Sequence, residues 1–277
     1  MVVSIIDSAK LHFQGAMLSE PGQARATNED HVTYVIPNSH DPRAGKGELA
    51  LIADGMGGHA AGEVASGIAV DVIAKTYYET GGSADEALRT AFREANAAIF
   101  GAAGGRAELE GMGTTCTAVA IRDGRAWLAH VGDSRCYLLR GGELRQLSED
   151  HSLVNDLVRA GVITSEEAHT RSDRNVILRA LGTRPEVEVA VWGEGLPLSD
   201  GDVLLLCSDG LSDYVDDRSI TSILLTEPHE LEACRALIAA ALAAGSDDDI
   251  SVGVFTLNAE SPSASRAIGD TRTRRVS

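Results

Sequence analysis

Aspartates beside glycines, each at the end of an apolar run, are the residues of this sequence best suited to chemistry. Three apolar runs end in this way: ELALIADGMGG at Asp54, LAHVGDS at Asp133 and VLLLCSDG at Asp209. A reversed version, SDDDISVGVF, places three aspartates directly before the last apolar run. One such aspartate is an ordinary turn signal. Strands packed in one core bring some of their ends together, however, and carboxylates gathered there repel one another.

Divalent cations would explain why several carboxylates share one place. Such carboxylates persist if one is protonated or if cations lie between them. Hard ions such as Mg²⁺ and Mn²⁺ prefer oxygen ligands, and the sequence offers no Cys or His cluster that would favour zinc. A carboxylate-rich site with two metals binds a phosphoryl oxygen and lowers the pKa of a water, which then attacks in line. The pattern therefore suits phosphoester hydrolysis.

Two further segments point to the same chemistry. In RATNEDHV, Arg25 lies four residues before the acidic pair Glu29 and Asp30. An arginine near a metal centre can hold a phosphate by two hydrogen bonds, although such a group is also an ordinary surface ion pair. Gly55 of DGMGG allows close approach of the backbone and can offer its carbonyl to an ion.

Six motifs in a fixed order resemble one family. They are RxxNED, DGMGG, GTT at residues 113–115, GDSR, CSDGL and DDISV. Together they resemble the metal-dependent PP2C-type (PPM) serine/threonine phosphatases in their compact bacterial form, over about residues 20–257. The resemblance implies an α+β fold, a four-layer αββα sandwich of two antiparallel sheets flanked by helices.

The resemblance also implies a set of metal ligands for Mn²⁺ or Mg²⁺. Asp54 would bridge two core ions, and the Gly55 carbonyl would complete the shell of one. Asp209 and Asp248 would bind the other core ion. Asp133 together with Asp209 would form a third metal site.

Three residues of the RxxNED motif take further roles by the same resemblance. Glu29 would act mainly through metal-bound water, with Asp30 beside it. Arg25 would hold the substrate phosphate, so that Arg25, Asp54 and Asp209 are the expected catalytic residues.

The sequence departs from the family pattern at two places. The family usually has Asp-Asn before the last strand, where this chain has Asp248 and Asp249. Alignment on the following Ile-Ser-Val makes Asp248 the ligand, with a possible shift of one residue. Some members carry a histidine where this chain has Met56, which leaves the general acid open between His59, His151 and water.

The function implied by the resemblance is hydrolysis of phosphoserine and phosphothreonine in proteins. A metal-activated water in a binuclear Mg/Mn centre would attack the phosphorus directly, and the reaction would reverse a Ser/Thr kinase in bacterial signalling. The expected partners are phosphorylated proteins, including a kinase and its targets. The net charge of −17 argues against nucleic acid as a broad-surface partner. We expect a cytoplasmic protein, because the chain shows neither a long apolar run nor a secretory signal. We also expect a monomer.

Strands and helices must position these side chains. Alternating apolar patterns and turn residues predict strands at 11–18, 31–36 and 48–53, helices at 62–79 and 84–100, strands at 114–121, 125–131 and 135–139, a strand at 202–207, helices at 216–225 and 229–244, and a last strand at 250–257. Asp123-Gly124 and Gly141-Gly142 predict hairpin turns, so residues 114–139 should form an antiparallel meander. A helix-prone region follows at 150–180.

The predicted organisation is one phosphatase domain over residues 1–257, with a flap at about 150–181. Residues 258–277 are rich in Ser, Thr, Arg and Ala and predict a disordered basic tail. That tail could instead be an autoregulatory or docking arm.

Parts of the sequence also fit two other functions. Gly55-x-Gly57-x-x-Ala60 follows a strand and precedes a helix, as in dinucleotide-binding folds. That fold needs a second parallel strand after the helix, whereas here a second helix follows. The other alternative is a catalytically silent phosphatase-like protein that binds phosphoproteins, which the presence of all the expected acids disfavours.

Overall fold

Two β-sheets pack face to face, with helices covering the outer face of each. The computed structural model describes residues 11–23, 27–57, 61–259 and 272–276. Every pairing between the described strands is antiparallel. The predicted α+β sandwich is therefore confirmed, and the parallel sheet that a dinucleotide fold requires is not found among these strands.

The strands divide into two sheets. The first sheet has, in spatial order, β1 (Leu11–Glu20), β12 (Ile250–Ala259), β11 (Val203–Cys207), β7 (Arg135–Arg140) and β8 (Glu143–Gln146). The second sheet has β10 (Leu196–Pro197), β6 (Arg125–Val131), β5 (Cys116–Arg122), β3 (Glu48–Met56), β2 (Asp30–Ile36) and β13 (Arg272–Val276). Two short strands, β4 (Gly113–Thr114) and β9 (Ala190–Val191), pair with β3 and β6.

The helices cover the two sheets separately. The second sheet is covered by α1 (Ala61–Glu79) and α2 (Ala84–Ala103), and the first sheet by α5 (Asp209–Ser212), α6 (Asp217–Thr226) and α7 (Glu230–Ala243). Two short helices, α3 (Leu153–Arg159) and α4 (Ser165–Thr170), lie in the region predicted as a flap. The long helices agree closely with their predicted bounds.

A central strand shows why the apolar runs are nearly continuous. Along β3, Leu49 and Leu51 face α1 and α2, whereas Ala50 and Ile52 face the core between the sheets. Successive side chains of a strand point to opposite faces, and both faces of this strand are covered. An unbroken apolar run is the result.

The predicted meander is wrong at one corner. The two hairpins are confirmed, since β5 pairs with β6 and β7 pairs with β8. However, β6 belongs to the second sheet and β7 to the first. The chain crosses between them at Gly132, which has a φ of 114°. A side chain would not fit at this position, because its Cβ would lie 2.5 Å from the Thr115 Cβ. This crossing places Asp133 at the joint between the sheets.

The C-terminal segment differs from the expected disordered tail. Strand β12 continues to Ala259, and residues 272–276 pair with β2. Without that partner, β2 would end the sheet with unpaired backbone groups, and such an edge accepts an added strand readily. Residues 260–271 and 277 lie outside the described part of the chain.

All four cysteines are buried and free, as expected for core thiols. No helix in the described ranges is both long enough and apolar enough to cross a bilayer.

Candidate active site

The strand-end acids of both sheets face one another at one edge of the sandwich. Asp30 begins β2 and lies directly opposite Asp54 of β3 in the antiparallel register. Asp209 begins α5 immediately after β11 of the other sheet. The charges of Asp30, Asp209, Asp133 and Asp248, in that order, act on Asp54 after burial itself. The structure thus brings together the acids that the sequence predicted for one site.

Burial and mutual repulsion raise the pKa values of these carboxyls. For Asp30 and Asp54, burial is the larger cause and the neighbouring carboxylates add to it, so that both pKa values lie well above the usual range. The pKa of Asp133 is raised in the same way, with Asp209 as its first charged neighbour. The pKa of Asp209 rises to about 6, through burial and then through Asp248. The ionised cluster therefore requires positive charge nearby.

Several oxygens of the cluster lack hydrogen-bond partners. Both carboxylate oxygens of Asp30, and one oxygen each of Asp133 and Asp209, are buried and unpartnered within the described part of the chain. Ser208 and Ser251 face Asp30 and lower its pKa somewhat, but neither makes a hydrogen bond of normal geometry with it. Buried polar atoms are normally satisfied. Unpartnered carboxylate oxygens that share a charged cluster fit hard divalent cations.

The described donor atoms of the cluster suit a divalent cation, although they do not form a complete coordination shell. Among the described residues, no three acidic, histidine or cysteine side chains are arranged as a set of metal ligands. Asp54 and Asp209 each keep a partly exposed edge. A cation can therefore approach the cluster from solvent.

The GTT motif holds the backbone of Asp54. The Asp54 carbonyl accepts hydrogen bonds from the Thr114 hydroxyl and the Thr115 amide, both at 2.8 Å. The Asp54 amide donates in turn to the Thr115 hydroxyl at 3.2 Å. That hydroxyl lies 2.6 Å from the hydroxyl of Ser134, the neighbour of Asp133. Thr114, Thr115 and Ser134 thus fix two acids relative to each other, a role that the motif alone did not reveal.

Glu29 lies in a loop held tightly against β3 and α1. Its carbonyl accepts hydrogen bonds from the Gly55 amide at 3.2 Å and from the Ser66 hydroxyl at 2.5 Å. A Cβ at Gly55 would lie 2.2 Å from the Gly62 carbonyl oxygen and 2.6 Å from that of Glu29. Glycine at position 55 is therefore needed for this approach of three backbone segments, whatever its carbonyl binds.

Asp249 serves the loop that carries Glu29. Its side chain is only 2% exposed. One carboxylate oxygen accepts from the Gly22 amide at 2.9 Å, and the other accepts from the Glu29 amide at 2.8 Å. Its own amide donates to the Asp248 carboxylate at 2.8 Å. The second aspartate of the pair is thus committed to backbone donors, and the assignment of Asp248 as the ligand stays a prediction.

The remaining expected residues divide into two groups. Arg25 and His59 lie outside the described residues. His151 is described, and its Nδ1 accepts a hydrogen bond from the Gly132 amide at 3.1 Å, while its own amide donates to the Gly132 carbonyl at 2.7 Å. Burial, and then Arg179, lowers the pKa of His151. This histidine supports the corner that carries Asp133.

A cavity of about 590 Å³ opens beside the acids. Asp133 and Asp209 form part of its wall, and the flap helices form another part. The space next to the cluster is therefore large enough for part of a peptide substrate.

Comparison with known proteins assigns the family. The sequence profile of protein phosphatase 2C matches residues 28–243. The chain belongs to the protein phosphatase 2C family. The six sequence motifs are the features by which it was expected there.

Relatives with names in this family come from several bacteria. The chain is 45% identical over 240 residues to the serine/threonine protein phosphatase PstP of Mycobacterium tuberculosis, covering 86% of this chain and 44% of that protein. It is 38% identical over 239 residues to the serine/threonine phosphatase stp of Listeria welshimeri, covering 84% and 92%. The chain thus spans less than half the length of the first relative and nearly all of the second.

A solved structure of a relative contains metal. The crystal structure of the catalytic domain of PstP in complex with two manganese ions is 40% identical to this chain, with a TM-score of 0.75, covering 90% of this chain and 99% of that one. This 2C family member therefore has a relative of the same fold that binds manganese.

Proposed function

We propose that this protein is a phosphoprotein phosphatase that hydrolyses phosphoserine and phosphothreonine by direct attack of water, with a binuclear Mn²⁺ or Mg²⁺ centre. The observation that carries the proposal is the cluster of buried acids from both sheets, several of whose oxygens are unpartnered. Family membership and the names of the relatives support the reaction type.

The residues that would hold the ions are Asp54, Asp209 and Asp248 for the core pair, with the Gly55 carbonyl, and with Glu29 and Asp30 acting from the neighbouring loop. Asp133 and Asp209 would hold a third ion. When bound, such ions stabilise charge on phosphoryl oxygens and lower the pKa of water.

The chain's own groups prepare this site in two ways. Thr114 and Thr115 fix the backbone of Asp54, and Asp249 fixes the loop of Glu29. Arg25 lies between Gly22 and Glu29 in the sequence, and we propose that it holds the substrate phosphate.

Activity assays on two substrates test the proposal. We expect hydrolysis of both an aryl phosphate and a phosphothreonine peptide with added Mn²⁺, and loss of both on chelation. Metal binding is measured separately by calorimetry. If the folded, metal-loaded protein hydrolyses neither substrate, the proposed enzymatic activity is contradicted. The alternative of a protein that only binds phosphoproteins would then remain.

We also propose that the physiological substrates are a Ser/Thr kinase and its targets, and that the chain acts as a monomer in the cytoplasm. Phosphoproteomics of a deletion strain checks the substrates, and light scattering of the purified protein checks the monomer. Increased phosphorylation confined to proteins unrelated to any Ser/Thr kinase would contradict the first part.

A further inference from the structure

The cavity beside the acids has one wall from the flap and one from the body of the domain. Val154 and Val158 lie one turn apart on α3 and face the cavity from the flap, as does Ala168 of α4. Val215, which follows α5 on the body side, also lines it. The apolar part of the lining can therefore cover the hydrocarbon stem of a side chain.

The charged part of the lining is mostly acidic. Six aspartates and three arginines line the cavity. Two of these arginines already pair with aspartates of the lining: Arg135 lies 2.7 Å from Asp150, and Arg174 lies 3.3 Å from Asp213. Asp133 and Asp209 belong to the proposed metal site, and the four remaining aspartates exceed the three arginines by one. Asp216 and Asp217 lie at the exposed beginning of α6, on the solvent side of this lining.

The two ion pairs show which kind of cation the lining accepts. In both, a guanidinium lies against a carboxylate inside the cavity. Arg174 reaches its partner from the flap, 39 residues away in the chain. A substrate guanidinium would meet the same chemistry, because carboxylates and arginine form charge-assisted hydrogen bonds of favourable geometry.

A separate polar group at the cavity also lacks a partner. Ser212 is 8% exposed and lines the cavity, and its buried hydroxyl has no hydrogen-bond partner in the described ranges. A buried hydroxyl without a partner is uncommon. Unlike the carboxylates, it does not belong to the expected metal ligands. A hydrogen-bond donor from a ligand would satisfy its oxygen.

We propose that this cavity binds an arginine or lysine side chain of the phosphoprotein substrate, within a few residues of the phosphorylated position. The inference rests on the proposed phosphatase function and names a substrate class for it. The apolar wall holds the stem, and Ser212 with the carboxylates at the start of α6 receives the cationic end. The shared wall at Asp133 and Asp209 fixes the separation between this side chain and the phosphate.

A peptide series measures the preference. Phosphothreonine peptides carry a single Arg, Ala or Glu at each of the three positions on either side of the phosphothreonine. We expect kcat/KM to be about fivefold higher for Arg than for Ala at one or two positions, and lower still for Glu, which is the upper end of what exposed charge pairs contribute. Equal values for Arg, Ala and Glu at all positions would overturn the proposal, as would a preference for Glu or for an apolar residue.

A double variant locates the preference in the cavity. Asp216→Asn with Asp217→Asn removes two charges, and asparagine keeps the N-cap that Asp216 provides to the Ser219 amide at 2.8 Å. We expect the Arg preference to fall at least threefold, while hydrolysis of the Ala peptide and of an aryl phosphate is unchanged. The matched control is Asp85→Asn with Glu94→Gln on α2, which removes the same charge from the other side of the sandwich and should keep the preference.

The two proposals fail in different ways. Absence of hydrolysis of every peptide and of the aryl phosphate would contradict the phosphatase itself. A second outcome is that all substrates are hydrolysed and the Asp216→Asn, Asp217→Asn variant retains the preference for Arg. That outcome would contradict only the assignment of the preference to this cavity. A charge reversal, Asp217→Arg, adds a third arm and should shift the preference towards the Glu peptide.

Discussion

The two ends of strand β11 carry the same residue type in opposite conditions. Asp202 directly precedes the strand, and Asp209 follows it after Ser208. Asp202 is 3% exposed, and its oxygens accept hydrogen bonds from Arg140 at 2.8 and 2.6 Å and from the Ser199 amide at 2.7 Å. Asp209 has an unpartnered buried oxygen and acidic neighbours.

The difference separates an acid that stabilises the fold from one that we propose binds metal. A buried carboxylate that is surrounded by donors stabilises the fold. A carboxylate among other carboxylates destabilises the metal-free fold and gains from an added cation. Both residues lie at an end of the same strand, so their partners and the partly exposed edge of Asp209 distinguish them.

The largest expected effect comes from exchanging the carboxylate at each end for an amide. Asp209→Asn should lower kcat/KM by more than about 10²-fold, since even second-layer partners of metal ligands cost 10- to 100-fold. Asp202→Asn should leave kcat/KM within about twofold. Steady-state kinetics with saturating Mn²⁺ checks both, with circular dichroism as the control for folding. Comparable losses in the two variants would break the comparison.

The next effect concerns stability and pH in the metal-free protein. The pKa of Asp209 is raised from 3.8 to about 6 in the folded state, so between these values the native state binds more protons than the unfolded state. The free energy of unfolding therefore falls as pH rises from about 4 to 6, by roughly 2–3 kcal/mol from this group. Urea unfolding with EDTA at several pH values measures it.

The matched variants sharpen this pH effect. Asp209→Asn removes the titrating group, so its unfolding free energy should fall less over the same window. Asp202→Asn leaves Asp209 in place and should retain the fall that Asp209 causes. If the unfolding free energies of Asp209→Asn and the wild type change in parallel with pH, Asp209 does not titrate in this window.

A smaller effect is expected at Asp249. This residue lies near the strand-end acids, but its carboxylate, like that of Asp202, accepts hydrogen bonds from surrounding donors. Asp249→Asn offers only one acceptor to the Gly22 and Glu29 amides and sets its own NH₂ group against the other. We expect a loss of about 1–3 kcal/mol in unfolding free energy, the usual cost of a buried unsatisfied group, and a lower affinity for Mn²⁺ by calorimetry. Unchanged stability and affinity would show that the two hydrogen bonds are dispensable.

The sequence predicted the elements that have strong local patterns. The long helices and central strands were visible because their apolar periodicity extends over many residues. Helix α5 and strands β9 and β10 are two to four residues long, too short to show a period. The crossing at Gly132 resembles any Gly-Asp turn in sequence, although the strand after it joins the other sheet.

The site was predicted at the level of its acids and not of their supports. Asp54, Asp133 and Asp209 stand out because each ends an apolar run. The partners of Asp249 are 227 and 220 residues away in the chain, and no local pattern reports such a contact. The same holds for Ser212, whose significance depends on the cavity around it.

The core between the sheets has a consequence for ion choice. Asp54 belongs to one sheet and Asp209 follows a strand of the other, so side chains such as Ile52, Leu206 and Phe255 act as a spacer that sets the width of the site. Mg²⁺ tolerates less variation in ligand geometry than larger divalent ions do. A change of one methylene in that spacer, far from any reacting atom, would then alter the discrimination between Mg²⁺ and Mn²⁺. We therefore expect the metal selectivity of the proposed site to depend on the hydrophobic packing between the sheets.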